Sequence, residues 1–377
     1  MSISFKTLKS LGNKVSGKRV LLRVDFNVPI LNGVIAEDFR IKKVLPTVLY
    51  LREKGAKTLI ISHIENSETN SLEKVSEYLN RHFPVSFFNN LEEAESFLPA
   101  MKEGETALLE NLRIYPGEKE NSEEFSRKLS SLADIYVNDA FSVSHRKHAS
   151  VVGVAGFLPS YAGFMFEEEV KNLSKAFNPK HPFLFILGGA KFETKMPLLR
   201  KFLDLADSVF VGGALANDIL KERGIEVGKS VISENVSLEG IADSKKLFIP
   251  ADILIKNFAG ENSVKDIKSV SEGDTIFDAG PESLRFLLEL VKKAKFVVWN
   301  GPLGAYEDGF DEGTLKLAKG IAESKAVSII GGGDTVAAIS KLNISDKFTF
   351  VSTGGGAMLD FLANETLPGI QALEESL

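Results

Sequence analysis

The chain has 377 residues, too many for one ordinary core, so two domains are expected. Its 45 basic and 51 acidic side chains leave a net charge of −6, which argues against a nucleic acid or an anionic membrane as partner of the whole protein. The absence of cysteine excludes disulfides, thiolate metal sites and cysteine nucleophiles, and the first residues, MSISFKTLKSLGNK, lack the apolar run of a signal peptide. In chain order, short apolar runs predict strands at Arg19 to Phe26, Lys57 to Ser62, Pro84 to Phe88, Thr106 to Leu109 and Asp134 to Val137. Helical patterns lie between them, as at Arg40 to Lys54 and Leu72 to His82. The scheme repeats with strands near Phe183 to Leu187, Ser208 to Val211, Phe296 to Trp299, Val327 to Ile330 and Phe348 to Ser352.

Alternating strands and helices imply βαβ units. The expected fold class is α/β: two doubly wound parallel-sheet, Rossmann-like domains joined by a helix, with a cleft between them. The joining helix is placed at 162–177, where Phe166, Val170, Leu173 and Phe177 recur at helical spacing before the stop Asn178-Pro179. An ordinary surface helix has the same periodicity. No run approaches the roughly 18 apolar residues of a membrane span, so a cytoplasmic protein is expected.

In the second half, strand after strand ends in glycine: Gly188-Gly189, Gly212-Gly213, Gly301-Pro302, Gly331-Gly332-Gly333 and Gly354-Gly355-Gly356. Ligands of open parallel sheets sit beyond the carboxyl ends of the strands, where glycine lets backbone N–H groups approach phosphate oxygens. One such junction is weak evidence because tight turns need glycine anyway; five point to a nucleotide or another phosphate. Known fingerprints do not fit. No strand is followed by GxGxxG, and Gly228-Lys229-Ser230 has Arg223 where a Walker A loop needs glycine. Lys191 and Lys195 share a helix face next to Gly188-Gly189 and suit phosphates, although most lysines are solvated surface groups. Asp334 and Thr335 follow the triple glycine, and Asp334 suits either a helix N-cap or Mg²⁺.

The first half carries charge at its strand ends. Arg23, Asp25 and Asn27 alternate along LRVDFNVP, followed by Arg40, His63, Arg113 and the cluster His145, Arg146 and His148. Arginine forks match phosphate and carboxylate oxygens, so four arginines at separate segment ends suit one small polyanion. Salt bridges to Asp25, Asp139 or Glu110 are the competing use of any one of them. No zinc spacing is present among the histidines and carboxylates.

Taken in order, LRVDFNVP (22–29), EDFRI (37–41), LLENLR (108–113), VNDAFSVSHRKHAS (137–150), ILGGAKFETK (186–195), VWNGPLGAYE (298–307), GGGDT (331–335) and VSTGGGAMLDFL (351–362) with LPG (367–369) resemble the phosphoglycerate kinase family. The resemblance covers nearly the whole chain. It implies an N-terminal domain, 1–161, that takes 3-phosphoglycerate or 1,3-bisphosphoglycerate. It implies a C-terminal domain, 178–362, that takes Mg²⁺ with ADP or ATP, and a tail, 363–377, that returns to the first domain. Closure of the two domains and a monomeric, glycolytic enzyme are further implications.

Residue by residue, the resemblance assigns Asp25 and Asn27 to the glycerate portion and Arg23, His63, Arg113 and Arg146 to the basic patch. Arg40 neutralises the reacting carboxyl end. Lys191 and Lys195 lie by the nucleotide phosphates, with Lys195 on the moving phosphoryl. Glu307 takes the ribose and Asp334 the metal. Gly189, Gly212, Gly213, Gly280, Asn300, Pro302, Gly332, Gly333 and Thr335 complete the nucleotide site, with the loops at Gly332 and Gly355 next to the transferred group. One departure stands out: the family reads SHLGRP where this chain reads SHIENSETNS, so the arginine position is Asn66. Loss of one charged hydrogen bond costs about 1.5–3 kcal/mol, so weaker phosphoglycerate binding is expected unless another cation such as Lys147 compensates. The alternative is a phosphoglycerate kinase-like binding protein whose turnover was lost through loop 64–71.

Overall fold

In the computed structural model, residues 4–65, 68–190, 192–234 and 238–376 are described. The chain divides into two compact units, residues 1–171 with 364–377, and residues 172–363.

The first unit is built on a six-stranded parallel sheet. From edge to edge its strands are Ser86–Phe88, Thr106–Leu109, Lys57–Ile61, Arg19–Val24, Ile135–Asp139 and Ser160–Ala162. Arg19–Val24 pairs with Lys57–Ile61 on one side and Ile135–Asp139 on the other. Val20, Leu21, Leu22 and Val24 are all buried. Both faces of this strand are therefore covered, which explains its continuous rather than alternating apolar run. The helix Phe39–Glu53 supplies Ile41, Val44, Val48 and Leu51 to the same core at three- and four-residue spacing.

The second unit repeats the plan in the order Leu247–Phe248, Ser208–Val211, Phe183–Leu187, Phe296–Asn300, Val327–Gly331 and Phe350–Val351. All pairings are parallel. Every residue of Phe183–Leu187 is buried, and Phe185 stacks on Phe202 with centroids 4.4 Å apart.

Both sheets are thus of the Rossmann-like kind expected from the sequence. The strand Ser160–Ala162 was not anticipated; Ala162 closes a strand paired to Asn138 rather than opening the helix. That helix is Phe164–Leu173, continued by the 3₁₀ turn Ser174–Phe177. Asp139 Oδ1 accepts from Phe166 N at 2.9 Å within its first turn. Also unanticipated is an antiparallel sheet in the second unit, Asp252–Lys256 flanked by Asn262–Asp266 and Thr275–Ala279. Its outer strand Asn262–Asp266 is mostly exposed and reads NSVKD, which offers no apolar run to detect. Ile253 and Ile255 anchor this sheet on Leu220 and Val227.

Candidate active site

In each sheet one central pair of strands sends its following connections in opposite directions, and the crevice there is where such folds take ligands. In the first unit the pair is Arg19–Val24 and Ile135–Asp139. Asp25, just past the first strand, meets Ser142, just past the second, and accepts its hydroxyl. Asp25 also accepts Arg40 Nη1 at 2.9 Å and Asn27 N at 2.9 Å. Burial alone would raise this carboxyl. Arg40, the His63 ring, the Ser142 hydroxyl and the Asn27 amide outweigh it and hold it at about 2. The same Arg40 nitrogen reaches Asn27 O at 3.0 Å, while a third of the side chain stays exposed. Asp25 therefore aims Arg40 and leaves part of its fork open.

Arg23 is fully buried. Its Nε donates to Ser150 Oγ at 2.8 Å, and Nη1 donates to Val24 O. Ser150 is held in turn by Glu118, wholly buried, through its amide at 2.9 Å and its hydroxyl at 2.6 Å. His63 Nδ1 lies 3.3 Å from Arg23 Nη2, a donor, which places the ring proton on Nε2. Burial, reinforced by Arg23, Arg113 and Arg146 against the opposing pull of Asp25, lowers His63 to about 3, so it is a neutral polar group. Burial and the same three arginines lower His148 to about 4. Arg113 is nearly buried; its Nε and Nη2 have no hydrogen-bond partner among the described residues, and Nη1 donates to Glu65. Arg146 is exposed, its Nε 3.4 Å from His145 Nε2. The preceding Ser144 O accepts Gly369 N at 2.8 Å, so the LPG turn braces this loop.

Of the competing salt bridges, only the one to Asp25 forms among the described residues. Glu110 accepts Leu72 N, Asn111 N and the Ser71 hydroxyl, and Asn111 bonds Ile64 and Asn70. ENLR thus clamps the shortened segment from both ends. Asn66 itself lies outside the described residues. Among the described residues of this segment, Glu65 accepts both Lys119 and Arg113.

In the second unit the central pair is Phe183–Leu187 and Phe296–Asn300. Their loops lock together: Gly188 N donates to Asn300 O and Gly189 N to Pro302 O, both at 2.8 Å. A Cβ on Gly188 would fall 2.1 Å from Pro302 O, and one on Gly301 2.3 Å from Gly188 O. Gly212 N and Gly213 N donate to Leu187 O and Leu303 O. Lys195, on the helix Phe192–Leu205, reaches Gly188 O with Nζ at 2.6 Å. Lys191 lies outside the described residues. Thr335 is buried and its hydroxyl oxygen accepts Gly301 N at 3.1 Å, tying the triple-glycine loop to the central one. Gly332 has φ +99° and Gly355 φ +53°, each just before a helix, Gly333–Leu342 and Gly356–Asn364. Gly280 packs on Asp252, whose carboxylate accepts Glu282 N and Ser283 N at the start of the helix Pro281–Lys293.

A cavity of about 260 Å³ opens beside these loops. Gly189, Gly213, Pro302 and Asp334 line it together with the apolar groups Leu220, Ile253, Ile276 and Phe277, and with Glu307. Of the apolar wall, Ile253, Ile276 and Phe277 come from the antiparallel sheet and Leu220 from the helix Ala214–Glu222; no repeated pattern in the sequence marks this grouping. Asp278, also in the lining, accepts Ala279 N and Gly313 N, yet burial pushes it up to about 6. Among the described residues no group of three carboxylate or histidine side chains could cage a metal ion. Asp334 alone beside an anion loop suits Mg²⁺, which binds through one or two carboxylates and completes its shell with phosphate oxygens and water.

Two Rossmann-like units, one with guanidinium groups at its crevice and the other with glycine loops, a lysine and a partly apolar cavity, suit an α/β phosphotransferase. A model of the family described as phosphoglycerate kinase matches residues 9–365. Phosphoglycerate kinase of Dictyoglomus turgidum is 41% identical over 394 aligned positions, covering 98% of this chain and 99% of that one. That of Borreliella afzelii is 40% identical, covering 99% and 100%. The solved phosphoglycerate kinase of Coxiella burnetii superposes with a TM-score of 0.84 at 36% identity, and that of Pyrococcus horikoshii with 0.86 at 34%, each covering 98% of both chains. The chain belongs to the phosphoglycerate kinase family, enzymes that transfer a phosphoryl group with a carboxyl group as acceptor.

Proposed function

We propose that the protein carries out reversible Mg²⁺-dependent phosphoryl transfer between 1,3-bisphosphoglycerate and ADP, giving 3-phosphoglycerate and ATP. The second unit takes the nucleotide. The observation that carries this reading is the cavity with an apolar wall at Leu220, Ile253 and Phe277 and a polar margin of glycine amides and Asp334. An adenine needs the first and phosphates need the second. Glu307, exposed on the same lining, takes the ribose hydroxyls.

The first unit takes the acid. Asp25 and Asn27 hold the glycerate portion, and Arg113, Arg146 and His63 its phosphate. Buried Arg23 acts from behind, through His63. An oxygen of the terminal phosphate of ADP attacks the acyl phosphorus in line. The bond from phosphorus to the acyl oxygen breaks, leaving the carboxylate of 3-phosphoglycerate. No side chain needs to act as nucleophile. Arg40 neutralises the carboxylate as it departs, and Lys195 with the amides around Gly332 and Gly355 stabilises the equatorial oxygens. Asp334, together with nucleotide phosphate oxygens, would hold Mg²⁺, which would supply further charge neutralisation. A coupled assay for ATP from 1,3-bisphosphoglycerate and ADP tests the reading; failure to form ATP while both ligands bind would favour the non-catalytic alternative. The presence of Arg40, Lys195 and Asp334 speaks for turnover.

A further inference from the structure

The segment SHIENS carries a carboxylate, Glu65, where SHLGRP has glycine, and an amide, Asn66, where it has a cation. Glu65 Oε1 accepts from Arg113 Nη1 and from Lys119 Nζ at 3.1 Å. Its backbone N–H donates to Asn27 Oδ1 at 2.9 Å, so the residue is pinned to a group assigned to the substrate. Arg113 is 7% exposed and still has two unpartnered buried nitrogens, Nε and Nη2, so it has donors for more anion than Glu65 provides. The Glu65 side chain is 49% exposed, free to swing toward solvent when displaced.

We propose that Glu65 is a resident competitor for the phosphate seat: its carboxylate occupies Arg113 and Lys119 until the phosphate of phosphoglycerate displaces it. The proposal rests on the assignment of this cluster to the acid substrate. Three charges already crowd the cluster, because Arg113 feels both Arg146 and Arg23 as well as burial. A carboxylate there relieves the free protein of part of that repulsion. The same relief then has to be given up on substrate binding, since a phosphate that takes the remaining Nε and Nη2 donors of Arg113 would sit against the Glu65 carboxylate on the same guanidinium, and the two anions repel. Glu65 thus sets affinity without touching the reacting atoms.

The test is calorimetric titration of 3-phosphoglycerate, and separately of inorganic phosphate, into wild type, Glu65→Gln and Glu65→Ala, with steady-state kinetics alongside. Both variants are expected to bind 3-phosphoglycerate about 1.5- to 5-fold more tightly, the range for displacing a half-exposed ion pair. KM should fall by the same factor with kcat unchanged. ADP affinity, read in the same preparations, should not move and reports that the second unit is intact. Equal 3-phosphoglycerate affinity in all three proteins overturns the competitor role and leaves the substrate assignment standing. Weaker binding in both variants also overturns it, because Glu65 would then be holding Arg113 in place for the substrate. No binding of 3-phosphoglycerate to any of the three, with ADP still bound, overturns the assignment of the cluster and the proposal together.

Discussion

Arg40 Nη1 and Asp25 Oδ2 lie 2.9 Å apart, and the pair links the first turn of one helix to the end of the central strand of the first unit. Asp25 is buried and Arg40 is partly open, so the carboxylate acts as an anchor and the guanidinium as the presenting group. Arg40→Ala is expected to lower kcat by about 10²- to 10³-fold, the range for removing one donor from a developing negative charge. ADP affinity should stay within about twofold of wild type, because the site proposed for it lies in the other unit. Steady-state kinetics with nucleotide titration checks both.

Lys195 should show the complementary pattern. Its Nζ sits on Gly188 O beside Gly189, at the entry to the glycine loops. Lys195→Ala is expected to cost about 10²-fold or more in kcat with a smaller change in the KM for ADP. A variant that raised only that KM would identify Lys195 as a ground-state phosphate ligand.

The glycine loops give a paired test. Gly213 has φ +62°, and a Cβ there would lie 2.6 Å from Gly189 N; Gly224 has φ +71° with nothing within 4 Å. Gly224→Ala should cost only backbone strain, about 1 kcal/mol. Gly213→Ala adds a clash that pushes aside the Gly189 backbone proposed to bind phosphate, about 1–3 kcal/mol more, and should weaken ADP binding by tenfold or more. Thermal melts and nucleotide titration of the two variants separate the terms.

Asp139 predicts a pH dependence of stability. Burial raises its carboxyl to about 6, against the Phe166 amide that favours the charged form, and Oδ2 has no partner among the described residues. In the unfolded chain the group titrates near 3.8. Between about pH 4 and 6 the folded protein holds a proton that the unfolded chain has released, so stability falls as pH rises through that window. Asp139→Asn keeps an acceptor for Phe166 N and removes the charge. Its stability should exceed that of wild type at pH 8 by about 3 kcal/mol, seen as a higher melting point, and the difference should vanish near pH 4. Melts at the two pH values decide this.

Ten of the twelve parallel strands among the described residues were legible because each is an apolar run ending in glycine or charge, a local property of the chain; Ser160–Ala162 and Leu247–Phe248 are too short to carry that signal. Thr106–Leu109 and Phe183–Leu187 were read with their observed limits. The helix start near 162 was misread because the pattern at Phe166, Val170 and Leu173 does not report that Ala162 pairs with Asn138. The antiparallel sheet escaped for a similar reason: half of it faces water, and strands such as Asn262–Asp266 are polar. Glu118 reads as a surface residue of a turn, and nothing nearby in sequence announces Ser150 as its partner.

The order of the motifs was enough to assign the family. What each charged group does was decided only on folding. Arg23 became a buried support, Glu110 a clamp on backbone amides, and Glu65 a partner of Arg113. The reason is separation along the chain: Asp25 meets Ser142 across 117 residues, a contact made by strand crossover. Composition and periodicity describe neighbours in sequence, whereas parallel sheets assemble their crevices from residues that are neighbours only in space.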